Sequence, residues 1–139
     1  MNRDGFSDII VSNTGPSRIT IHTNRGDATF RNEIPGGDLF DYFTGTFRVG
    51  KNPRWITIAD VNNDQKMDLL ASNELSNDVS VLIADTDTTF VLPELYNVGS
   101  PPQAFPSGGA TADFNNDGYN DAVTAGENHQ NFSLLLGNG

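Results

Sequence analysis

The side chains with the most chemical potential are aspartates and asparagines at alternate positions of short loops. The run Asp113-Phe114-Asn115-Asn116-Asp117-Gly118-Tyr119-Asn120-Asp121 puts side-chain oxygens at loop positions 1, 3, 5 and 9. Calcium takes six to eight oxygen ligands at about 2.3–2.6 Å, and a tight loop with alternate residues turned inward supplies them. The carbonyl of Tyr119, at position 7, can complete the set. Gly118 stands at position 6, where a sharp turn calls for a left-handed backbone. Three carboxylates in nine residues repel one another unless a cation sits among them.

The same chemistry occurs twice more. Asp60, Asn62, Asp64 and Asp68, with the carbonyl of Lys66, form a second loop in which Gln65 replaces the glycine. Keeping a left-handed backbone there costs about 1–2 kcal/mol, so this site is expected to be weaker or differently shaped. Asn2, Asp4 and Asp8, with the carbonyl of Phe6, form a first copy that lacks a position-1 residue before Met1. An EF-hand needs a bidentate Glu at position 12, and those positions hold Ala71 and Thr124. The ion-free alternative is a set of turns in which Asp and Asn cap their own backbone. Calcium is the cofactor these residues predict.

The loops belong to a longer repeat. Asn2 to Asn13 returns 60 residues later as Asn62 to Asn73, and 53 residues further on as Asn115 to Gly126. The register holds beyond the loops: Ile19-Thr20-Ile21 matches Val79-Ser80-Val81 and Phe132-Ser133-Leu134, and Asp27-Ala28-Thr29-Phe30 matches Asp87-Thr88-Thr89-Phe90. Val49-Gly50-Lys51-Asn52-Pro53 matches Val98-Gly99-Ser100-Pro101-Pro102.

Apolar residues come in runs of three to six bounded by turn formers, with no sustained helical spacing, which indicates an all-β chain. Within the second unit, strands are expected at Trp55–Ala59, Asp68–Ser72, Val79–Ala84 and near Phe90–Val98. Four short antiparallel strands per unit fit a β-propeller blade. The 139 residues then form one segment of roughly three, four and three strands, in units of approximately 1–54, 55–108 and 109–139. That is about two and a half blades of a larger or self-assembled propeller, starting and stopping inside blades. Open lateral faces and unpaired edge strands favour further blades or self-association as partners.

The Asp-x-Asn-x-Asp-Gly-x-x-Asp loop, the apolar strand after it, the Val-Gly-x-x-Pro lead-in and the Thr-Phe turn resemble the FG-GAP/VCBS repeat family, which includes the blades of integrin α-chain propellers. The resemblance covers nearly the whole chain. It implies a calcium-stabilised propeller, often seven-bladed, in an extracellular or cell-surface setting. The expected role is a binding or adhesion scaffold for a protein or glycan ligand at a cell surface, as part of a larger secreted or membrane-anchored protein. The alternatives are a carbohydrate-binding propeller and a non-catalytic propeller segment of a larger extracellular enzyme.

Charge and composition narrow the classes further. Against 18 acidic residues stand 8 basic ones, for a net charge of −10, so no nucleic-acid partner is expected. Eight of those acids lie in the three loops. No apolar run is long enough to insert in a membrane, the first residues do not resemble a signal peptide, and without cysteine there are no disulfides or thiolate sites. Catalysis is not expected: His22 and His129 are the only histidines, and the paired carboxylates sit within the metal loops. Arg25-Gly26-Asp27 spells an integrin-recognised tripeptide but falls at a strand–strand turn, which explains it better. Phe40, Tyr42, Phe43 and Phe47 read as packing beneath a long loop, with an exposed binding tip as the alternative, and Trp55 as buried between blades. Asn131-Phe132-Ser133 matches a glycosylation acceptor.

Overall fold

The computed structural model describes residues 3–31, 46–85, 89–98, 105–126 and 132–138. They form eleven strands and, among the described residues, no helix. In chain order these are β1 (Ile9–Asn13), β2 (Arg18–Asn24), β3 (Phe30–Arg31), β4 (Thr46–Arg48), β5 (Pro53–Ala59), β6 (Asp68–Asn73), β7 (Asp78–Leu82), β8 (Glu94–Asn97), β9 (Pro106–Ala112), β10 (Asp121–Gly126) and β11 (Phe132–Leu135).

Neighbouring strands pair antiparallel in three small sheets. The second sheet is complete, in the order β5-β6-β7-β8, and matches the expected strands closely. The first sheet begins at β1, the counterpart of β6, and its outer position is divided between β3 and β4, which both pair with β2. The third sheet has the order β11-β10-β9. The described sheets do not close into a ring.

Side-chain alternation, the period of a strand, lets one sheet serve two neighbours. Leu69 and Ala71 of β6, with Leu82 of β7, form a buried cluster with Ile19 and Ile21 of the first sheet. Leu70, between them in sequence, joins Val79 and Val98 in a second cluster that receives Ala122 and Leu135 from the third sheet. Every residue of β6 is buried, because the strand is covered on both faces. Phe47 packs against the first cluster, its ring edge-on to Phe90 at 5.0 Å between centroids, as expected of core packing. Phe40, Tyr42 and Phe43 lie outside the described residues, as do His129 and Asn131.

Polar contacts fix the junction between the first two sheets. The Gly50 N–H donates to Ser80 Oγ at 3.0 Å, and Asn73 Nδ2 donates to Asp78 Oδ1 and Ser80 Oγ at 2.7 and 2.8 Å. A Cβ on Gly50 would lie 2.4 Å from Asp78 Oδ1 and 2.6 Å from Asn73 Nδ2, so only glycine fits this approach. The junction of the second and third sheets carries a hydroxyl pair, Ser72 and Thr124, at 3.2 Å.

Trp55 corrects the sequence-based expectation, being 48% exposed rather than buried between sheets. The pairing register shifts between Pro53 and Trp55. β5 packs against β9, where a Cβ on Gly109 would lie 3.6 Å from Thr57 Oγ1. The Arg25-Gly26-Asp27 tripeptide forms the exposed turn between β2 and β3, as expected. There the Arg25 N–H donates to Thr29 O at 3.0 Å, and the Thr29 N–H donates to Asp27 Oδ1 at 2.9 Å. Hydrogen bonds to the carboxylate from the Thr29 hydroxyl, and then from the Thr29 N–H, hold the Asp27 carboxyl below its ordinary range.

Leu69, with no exposed surface, lies in the core shared by the first two sheets. Leu69→Ala is expected to cost about 2–5 kcal/mol in chemical denaturation. Leu92→Ala, at a residue 89% exposed, should change stability by less than about 0.5 kcal/mol.

Candidate metal centre

The three acidic loops precede equivalent strands, β1, β6 and β10. Position 6 is left-handed in each, with φ of 89° at Gly5, 68° at Gln65 and 94° at Gly118. Gln65 therefore keeps the backbone shape of its glycine counterparts, and what the substitution leaves is its conformational cost. Position 4 is left-handed as well, with φ of 58°, 61° and 62° at Arg3, Asn63 and Asn116. Asparagine tolerates this region better than most residues, a signal present in the sequence at two of the three loops.

In the second and third loops one hydrogen-bond pattern turns the chain. Asp113 Oδ1 accepts the Asp117 N–H at 3.1 Å and its Oδ2 the Gly118 N–H at 2.9 Å. Asp60 accepts the N–H groups of Asp64 and Gln65 in the same way, at 3.1 and 2.7 Å. Asn115 and Asn62 accept from Asp117 and Asp64 at 3.0 and 3.1 Å. Asp4, Asp64 and Asp117, at position 5, each accept the N–H of position 7 at 2.9 Å. Asn2 lies outside the described residues.

Position 9 has a different role from its loop-mates. Asp68 and Asp121 are fully buried, while the loop tips are exposed. Asp68 Oδ2 accepts the Val61 N–H at 2.9 Å, from its own loop, and Oδ1 accepts the Ala84 N–H at 2.8 Å, from beyond β7. Asp121 does the same with Phe114 and Gly137, both at 2.9 Å. Asp8 accepts the Asn24 N–H at 2.9 Å. The position-9 carboxylate thus clamps each loop to the far end of its hairpin. Nothing in a single loop reveals this, because the second donor lies 16 residues away.

Neighbouring loops also touch. An Arg3 guanidinium nitrogen donates to the Gln65 carbonyl, and Asn120 Nδ2 donates to the Asp60 carbonyl at 2.8 Å. Among the described residues, no three acidic or histidine side chains are gathered so as to hold a metal ion between them. The chemistry of the donors nevertheless fits calcium. Every side-chain donor is a hard oxygen, and a carboxylate oxygen that accepts one N–H keeps a further lone pair. Burial pushes the Asp68 carboxyl above its ordinary range; the N–H donors of Ala84 and Val61 oppose this, and the charges of Asp64 and Asp60 add to it. A cation near these carboxylates would relieve that repulsion.

The second loop carries a cation of its own. Lys66 Nζ lies 3.0 Å from Asp64 Oδ2, which holds the Asp64 carboxyl below and the lysine above their ordinary ranges. In the third loop the corresponding oxygen, Asp117 Oδ2, accepts the neutral amide of Asn115 at 2.8 Å.

Comparison with known families matches the chain to the FG-GAP-like repeat over residues 1–71 and again over 60–124. The chain belongs to this family, whose repeats form propeller blades and are typically non-catalytic. Neither the curated proteins nor the solved structures give a match.

The clamp and the loop tip are separable by mutation. Asp121→Asn turns an amide donor toward one of two buried N–H groups and is expected to cost about 1–3 kcal/mol in chemical denaturation with EDTA present. Asp117→Asn can keep the acceptor for the Tyr119 N–H and should leave stability in EDTA within about 0.5 kcal/mol of the parent.

Proposed function

We propose that this chain is a calcium-stabilised propeller segment whose loops at Asp113–Asp121 and Asp60–Asp68 each hold one Ca²⁺, and that it serves as a binding scaffold outside the cell. The observation that carries the proposal is a threefold repeated loop of hard oxygen donors, joined to its blade in the second and third units by a buried carboxylate. Asp113, Asn115, Asp117 and Asp121, with the Tyr119 carbonyl, would hold the ion in the third loop. Asp60, Asn62, Asp64 and Asp68, with the Lys66 carbonyl, would do so in the second. Asp4, Asp8 and the Phe6 carbonyl belong to the first loop with Asn2. The bound ion supplies positive charge that offsets carboxylate repulsion, so its binding free energy is also folding free energy.

Extracellular modules of this kind bind calcium at about 10⁻⁴–10⁻³ M, which matches a millimolar supply rather than the cytosolic level. With the ions bound, the sheet surfaces and rim loops form a stable face for a protein or glycan ligand at a cell surface. Family membership supports the scaffold reading over catalysis.

Thermal unfolding in EDTA, in millimolar Ca²⁺ and in millimolar Mg²⁺ tests this directly. A calcium-specific rise in Tm is expected, and at 100-fold excess over Kd one site adds about 2.7 kcal/mol. Asp117→Asn should diminish the rise. No shift, or an equal one with Mg²⁺, would sink the calcium assignment. Calorimetric titration resolves the two sites: Lys66→Gln should strengthen the weaker one by up to about fivefold, the scale of a partly exposed ion pair.

A further inference from the structure

Of the three acidic loops, the second is the one without glycine at position 6, and it is also the one gripped from both sides. Gln65 holds φ of 68° there, a left-handed backbone that disfavours any residue carrying a Cβ. Gly5 and Gly118 adopt the same conformation without that strain. The strain draws the second loop toward relaxing at Gln65. Relaxation would break the bond that closes the loop, from the Gln65 N–H to Asp60 Oδ2 at 2.7 Å.

Both partners in that closing bond are held from neighbouring loops. Asn120, in the third loop, donates from Nδ2 to the Asp60 carbonyl at 2.8 Å, in a part-buried contact. Arg3, in the first loop, donates from its guanidinium to the Gln65 carbonyl. Asn120 is itself firmly placed. It lies between Tyr119, whose carbonyl is a candidate ligand, and Asp121, whose buried carboxylate accepts from Phe114 and Gly137. The residues at position 8 of the other two loops are Ser7 and Met67, so the amide is particular to the third loop.

We infer that Asn120 and Arg3 are positioning residues that hold the second loop in its closed, left-handed shape, and that its affinity for calcium is therefore set from the neighbouring loops. The holding stands on the geometry alone; the effect on affinity rests on the calcium reading proposed above. Order in the third loop then favours binding in the second, and by linkage binding in the second favours order in the third.

Amide exchange of the full chain in EDTA, followed by heteronuclear NMR, tests the holding, with the Gly118 amide as the position-6 reference. Asn120→Ala is expected to speed exchange at Gln65 by about three- to tenfold, the scale of one net hydrogen bond, and to leave Gly118 unchanged. Adding Gln65→Gly should restore protection at position 65, because glycine keeps the conformation unaided. Arg3→Ala, at an exposed residue, should act in the same direction and serves if Asn120→Ala does not fold. Unchanged exchange at Gln65 overturns the inference. So does equal acceleration at Gly118, which would mark general loosening, or failure of Gln65→Gly to restore protection. A calcium titration followed at the same amide reads the affinity: its midpoint should rise by the same factor in Asn120→Ala and return with Gln65→Gly. A midpoint unmoved by Asn120→Ala, with calcium still bound, overturns the control of affinity. A parent Gln65 amide that ignores calcium overturns instead the calcium reading of this loop, and exchange in EDTA still decides the holding.

Discussion

A buried carboxylate that must satisfy two backbone N–H groups governs the second and third units. Asp68 and Asp121 each have one donor at the start of their loop and the other beyond the end of the hairpin. An ionised group fully removed from solvent is costly, and these N–H bonds are what make it tolerable. The geometry they impose fixes where the loop begins relative to the third strand, and so fixes the register of the hairpin between them. The more exposed oxygens of positions 1, 3 and 5 are thereby held on a rigid base.

Stacking then follows from strand alternation. The middle sheet buries Leu69 and Ala71 of β6 toward the first sheet and Leu70 toward the third, so it does not complete its core alone. The two junctions differ in their outer halves. One holds a pair of aromatic rings, and the other an apolar groove. Polar contacts select the correct neighbour at each junction, through Gly50 at the first and the Ser72–Thr124 hydroxyl pair at the second.

Strand positions and the sheet grouping were legible because a repeat in constant register carries the same alternation three times. Left-handed Gly118 was legible from its residue type. Left-handed position 4 was signalled only by Asn63 and Asn116, and Arg3 hides it in the first loop. The clamping role of Asp68 was not legible, since an aspartate in an acidic loop looks like any other until its 16-residue-distant donor is known. Trp55 misled because a large apolar residue in a strand suggests burial, while the strand shifts register beside it and leaves it exposed.

The complete coverage of β6 has a consequence for how the molecule opens. In an array whose members touch only their neighbours, the end units have one supporting interface and the middle unit has two. Opening from either end leaves the central sheet with a surviving partner, whereas exposing β6 on both faces requires both junctions to part. Among the described strands, backbone amides along Asp68–Asn73 are therefore expected to exchange slowest with solvent. Protection falls away outward in steps, and the central hairpin is the last element to lose its hydrogen bonds.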